Sequence, residues 1–111
     1  MHDVKITITV AKVLKAFLED ASAPRYGFDL MRDTQLASGT LYPILARLEK
    51  AEWLTSEFED IDEEAEGRPA RRFYTITANG ASSARIGLAE LHAQIWPGAR
   101  RFRLGHQEGT A

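Results

Sequence analysis

Apolar positions recur at intervals of three and four over three stretches of the chain, and each stretch predicts an amphipathic helix. In the first, Val10, Val13, Leu14, Phe17 and Leu18 share a face, which gives a helix over residues 8–20 capped by Thr7 or Thr9. Val4, Ile6 and Ile8 alternate with polar residues instead, and residues 4–6 are left as a short strand. Ala21-Ser22-Ala23-Pro24 is a breaker, because proline disfavours helical geometry in the residue before it. A short second helix follows over residues 26–33. In the next periodic stretch Leu41, Ile44, Leu45 and Leu48 form the stripe, with Ser38 as the predicted N-cap. Only residues 34–37 separate these two helices, a connection short enough to make them meet steeply, as in a helix-turn-helix.

The opposite face of the helix begun at Ser38 is unusually bare. At about 100° per residue, Gly39, Pro43, Ala46 and Lys50 gather there, flanked by Thr40, Tyr42 and Arg47. A solvated face normally presents long charged side chains, whereas Gly, Pro and Ala let a bulky partner approach the backbone. Pro43 lies one position past the first turn and forfeits about one hydrogen bond, less than the roughly 3 kcal/mol of a mid-helix proline. Such a face suits DNA or another protein surface.

Downstream, Trp53 and Leu54 open a strand that runs to about residue 58, and residues 71–75 supply its antiparallel partner. The hairpin between them is long and polar, and partial disorder is predicted for it. Thr77 caps a last helix over residues 78–95, stopped by Pro97-Gly98. This helix carries two stripes, Ala81, Ala84, Leu88, Leu91 and Ile95 on one side and Ile86, Ala89, Ala93 and Trp96 on the other. One small domain seldom covers both, so a second subunit is expected on Ala84, Leu88, Leu91 and Ile95. The division is a helix-turn-helix with its hairpin over residues 1–77, a helix expected at a subunit seam over 78–97 and a polar, Gly-containing tail over 98–111. The fold class is mainly α with a small β-hairpin (α+β).

At 111 residues the chain makes one folding unit. It has no cysteine, which excludes disulfides and thiolate metal sites. It lacks an apolar run near about 18 residues and a signal-peptide pattern, so no membrane is expected and the cytoplasm is the expected compartment. A formal net charge of −2 argues against a polyanionic partner until its distribution is considered. Residues 57–66 hold seven of the sixteen acids and no base, which leaves fourteen bases against nine acids elsewhere. His2, His92 and His106 are too scattered to converge, so no catalytic set is predicted and a hydrolase lacks its nucleophile and base. The acidic run lacks the glycine and ligand spacing of a calcium loop, and no glycine-rich phosphate loop is present; no metal and no cofactor are expected.

Three motifs carry a resemblance. Gly39-Thr40-Leu41-Tyr42-Pro43-Ile44-Leu45-Ala46-Arg47-Leu48-Glu49 resembles the recognition-helix signature of the PadR family of transcriptional regulators. Tyr26-Gly27-Phe28-Asp29-Leu30 resembles the start of that family's preceding helix, and Gly67-Arg68-Pro69-Ala70-Arg71-Arg72-Phe73-Tyr74-Thr75-Ile76-Thr77 its wing and following strand. The order and spacing agree, over roughly residues 7–96. The resemblance implies a winged helix-turn-helix, a homodimer built through the C-terminal helix, double-stranded DNA as partner and, usually, repression.

On that view Thr40, Pro43 and Ala46 meet thymine methyls beside Gly39, Arg47 reaches a guanine or a phosphate, Ser38 and Tyr42 donate to phosphates, and Lys50 touches backbone. By resemblance the Tyr26 hydroxyl also takes a phosphate, although the ring suits a core equally. Arg68, Arg71 and Arg72 either straddle the minor groove, with Arg68 the foremost candidate, or neutralise the acidic run. Trp53 and Phe73 belong to the core. Trp96 is an anchor on the core or dimer seam, or, by resemblance, a contact for a small aromatic effector between subunits. The competing reading is a winged helix that binds a protein or an effector without DNA, and it rests on the acidic run and the net charge.

Overall fold

The computed structural model describes residues 4–96 and Gly98. Helix α1, Ile8–Leu18, starts where the Thr7 hydroxyl oxygen accepts the Val10 N–H at 3.2 Å. Its buried face, Val10, Val13, Leu14 and Phe17, matches the periodic stripe. Residues 4–7 form no strand, contrary to expectation. Val4 and Ile6 pack on the core from irregular backbone, and the third strand of the sheet is supplied by another segment.

That segment is β1, Arg25–Tyr26, which pairs antiparallel with β3. Tyr26, read from sequence as the start of a helix, is therefore a strand residue that also caps α2, Gly27–Thr34. Helix α2 stops at Gln35, which takes the left-handed conformation (φ 62°) and turns the chain into a link of three residues. Helix α3, Ser38–Lys50, follows. Its N-cap is Ala37 and not Ser38: the helix begins one residue early, so the Ser38 hydroxyl makes no capping bond.

Strands β2, Leu54–Phe58, and β3, Arg72–Ile76, form the hairpin, paired from Leu54↔Ile76 to Phe58↔Arg72, and the sheet order is β1-β3-β2. The loop between them is ordered, against expectation. A short helix α4, Glu63–Glu66, is capped by the Asp62 carboxylate, which accepts from the N–H groups of Glu64 and Ala65 at 3.1 and 3.3 Å, and ends at Gly67 with φ 69°. Acidic side chains in a first turn suit the helix dipole, which explains why so acidic a segment winds up.

Helix α5, Ala78–Ile95, begins at Thr77, whose hydroxyl oxygen accepts the Gly80 N–H at 2.9 Å while its proton goes to the Glu52 carbonyl at 2.9 Å. At Gly80 the helix touches the main chain of Trp53 so closely that a Cβ would collide with it. Ala81 and Ala84 therefore belong to the domain's own core with Leu14, Phe17, Leu41, Leu45 and Leu54. Ala84, expected on the subunit seam, is fully buried and has no surface to offer a partner. Among the described residues no helix is long and apolar enough to cross a membrane. His2, Pro97 and residues 99–111, with most of the predicted tail and His106, lie outside the described residues.

Candidate nucleic-acid interface

Helix α3 is held by one side and bare on the other. Leu41, Leu45 and Leu48 are essentially inaccessible and Ile44 nearly so, while Ser38, Gly39, Thr40, Tyr42, Pro43, Ala46, Arg47 and Lys50 are all exposed. Burial of four large aliphatic side chains, about 1.5–3 kcal/mol each, fixes the helix without using any group on the outer face. Pro43 cannot donate to the Gly39 carbonyl, so this turn keeps a free acceptor on the surface.

The start of α2 stands beside that face. Gly27 is buried beneath the Tyr42 ring, and a Cβ there would strike the phenol end of that ring. Glycine thus lets the Tyr42 hydroxyl lie across the first turn of α2, whose N–H groups receive no side-chain cap. A groove runs from here to the hairpin, lined by Tyr26, Gly27, Phe28 and the acidic Asp29, by Tyr42, and by Arg71 and Arg72 from the wing side. Tyr74 also lines it; burial, the main cause, raises the pKa of its phenol and keeps the hydroxyl neutral.

Charge on this side is unspent. Among the described residues ion pairs involve only Arg32, with Asp29 and Asp33, and Arg68, with Glu59. Arg47, Lys50, Arg71 and Arg72 have no acidic partner there, and Arg72 rests over the Phe58 ring at 5.4 Å. Arg68, expected as the leading wing contact, is instead tied back, its Nη1 donating to Glu59 Oε1 at 2.7 Å and its Nη2 to Oε2 at 3.3 Å. Tyr26 is half-buried, packs edge-on against Phe73 and donates to Glu59 Oε2 at 3.5 Å.

Two participants escaped the sequence reading. Gly27 was visible only as part of a motif, because its partner Tyr42 is fifteen residues away and on another helix. Glu59 was hidden in a run of acids, and nothing local separates it from its neighbours. On α5, Leu88 and Leu91 are half-buried, while Ile86 (62%), Ile95 (51%) and Trp96 (65%) stand in solvent. A hollow lined by Val4, Ile6, Trp53, Ile86 and Leu91 together with the polar Lys5, Glu52, Glu90 and Gln94 opens against α5, and Trp96 is not among its walls. No three His, Asp or Glu among the described residues converge as a metal would need.

The family model described as transcriptional regulator PadR-like family matches residues 14–86. No curated protein matches the chain. Of solved structures, a PadR-like transcription factor from Bacteroides fragilis aligns with TM-score 0.62 and 23% identity, over 89% of this chain and 88% of that one. A PadR family transcription regulator from hypervirulent Clostridium difficile R20291 aligns with TM-score 0.62 and 22% identity, over 84% and 96%. These two share the fold. Overoxidized AbfR bound to DNA aligns with TM-score 0.63 and 26% identity, over 95% of this chain and 71% of that one.

Proposed function

Because the chain belongs to the PadR-like family of transcriptional regulators, we propose that it acts by binding double-stranded DNA as a homodimer, with α3 in the major groove and the hairpin as a wing alongside. The observation that carries this reading is the outer face of α3, which is exposed, low in profile and provided with Arg47 and Lys50 free of acidic partners among the described residues. Gly39, Pro43 and Ala46 let the helix sink deep, Thr40 and Ala46 meet thymine methyls, and Arg47 takes a guanine edge with its planar fork. Ser38, Tyr42 and Lys50 bind phosphates, as does the Tyr26 hydroxyl once the duplex lies in the groove at the start of α2; Arg71 and Arg72 extend the contact along the wing.

A second copy covers the seam of half-buried Leu88 and Leu91 and exposed Ile95 on α5, and sets the two recognition helices about 34 Å apart, one turn of the duplex. Occupancy of a promoter by such a dimer blocks polymerase, so repression is the proposed sign of regulation. In this reading Trp96, exposed at the end of α5, meets its symmetry mate and contacts a planar aromatic effector there. The competing reading, a protein-binding module without DNA, draws on the exposed acids of α4. Footprinting on the DNA upstream of the protein's own coding region separates the two. The proposal expects two protected half-sites one helical turn apart that vanish as salt rises, and absence of any protection in low salt would favour the protein-binding module.

A further inference from the structure

Glu59 lies just beyond β2, and its side chain folds back over the base of the wing. Oε1 accepts from Arg68 Nη1 at 2.7 Å and from the Arg71 main-chain N–H at 2.8 Å. Oε2 accepts from Arg68 Nη2 at 3.3 Å and from the Tyr26 hydroxyl at 3.5 Å. The Glu59 main-chain N–H meanwhile donates to the Arg71 carbonyl at 2.8 Å, so one residue closes the β2–β3 ladder with both its backbone and its carboxylate. Its side chain is 14% exposed and that of Arg68 32%, which makes this the most enclosed ion pair among the described residues.

The geometry decides what each arginine can do. A guanidinium gripped through two N–H groups by one carboxylate has used the fork with which it would take a phosphate, and its charge is neutralised in place. Arg68 spends a further N–H on the Pro69 carbonyl at 3.2 Å. Arg71 differs: Glu59 holds only its main chain, and its side chain is exposed toward the groove. Arg72 is exposed beside it over Phe58.

We propose that Glu59 is a positioning residue for DNA binding: its carboxylate withdraws Arg68 from the phosphate contacts and holds the Arg71 main chain, so that Arg71 and Arg72 are the wing's phosphate-binding pair. This rests on the DNA-binding reading above. It also gives the acidic run a definite role, since its foremost member is a clasp inside the wing.

Salt dependence counts phosphate contacts independently of overall affinity, because log K falls with log salt by about 0.9 per phosphate neutralised. The test measures this slope for the full-length protein on the duplex it protects, with thermal melts to confirm folding. Arg68→Met is expected to leave the slope unchanged, and Arg71→Ala and Arg72→Ala each to lower it by about 0.9. Glu59→Gln, which frees Arg68, should steepen it by about 0.9, and Glu59→Gln with Arg68→Met should return it to the native value. A loss of about 0.9 in Arg68→Met alone, or a native slope in Glu59→Gln, overturns the proposal while leaving DNA binding intact. A native protein that binds no duplex at low salt overturns both.

Discussion

At the scale of single residues, the side chains that pack and those that stay free divide with little overlap. Glu59 belongs to the first kind. The Arg68 guanidinium, chiefly, and the Arg71 N–H hold its carboxyl at about 2, below the ordinary 4.5. A carboxyl with a lowered pKa in the folded state adds stability that is complete above the ordinary value and is lost as pH falls from 4.5 toward 2. An NMR titration of native protein should therefore keep Glu59 ionised to about pH 2, and in Arg68→Met its midpoint should move up toward the ordinary carboxylate range. An unmoved midpoint would mean that Arg68 is not its main partner. Gly27 makes a second test: Gly27→Ala should displace the Tyr42 ring end without unfolding the chain and weaken every DNA sequence alike, by roughly 1.5–3 kcal/mol for a lost charged hydrogen bond. Residues of the α3 face were readable in the sequence because exposure there follows from helical period alone. Glu59 was not, since its partners Tyr26, Arg68 and Arg71 come together only through the sheet and the returning hairpin.

At the scale of elements, three helices could be placed from periodicity because each presents an apolar stripe to one core. The short elements could not. Two residues of β1 are too few for any period to register, and the alternation over residues 4–6 is met by irregular backbone whose Val4 and Ile6 pack on the core. The acidic composition of α4 suggested disorder, whereas the Asp62 cap and the left-handed Gly67 supply the local bonds that start and stop a single turn. The junction of α5 with the α3–β2 turn is the tightest of these arrangements. Gly80→Ala should push α5 off the Trp53 main chain and lower stability by roughly 1–3 kcal/mol, the usual cost of overpacking, as read by denaturant midpoint. A midpoint equal to or above the native one would show that the contact yields without strain.

At the scale of the whole molecule, α5 is two helices in one. Its first part, with Ala81, Ala84 and Leu88, packs on the domain core, whereas Leu91 beyond it is half-buried and Ile95 and Trp96 are exposed. A continuous stripe of small and aliphatic residues hides this change of role, and periodicity alone does not separate Ala84, buried in the core, from the seam. Leu91→Glu should yield a folded monomer by sedimentation, because a charge buried against a partner costs several kcal/mol, whereas Ala84→Glu should fail to fold at all. A dimeric Leu91→Glu variant would place the seam elsewhere. The net charge of −2 also misleads as a single figure, because acids crowd α4 while Arg47, Lys50, Arg71 and Arg72 stand exposed without an acidic partner among the described residues.

All of this converges on one claim, that the outer face of α3 reads DNA. Equilibrium binding of native protein and Arg47→Ala to the protected duplex, and to variants with each guanine replaced in turn, tests it most directly. Arg47 is exposed and outside every ion pair among the described residues, so the variant should melt as the native protein does. The account predicts a loss of about 1–3 kcal/mol for Arg47→Ala, together with lost discrimination at one base position. Unchanged affinity and unchanged base preference in a natively folded Arg47→Ala protein would contradict it.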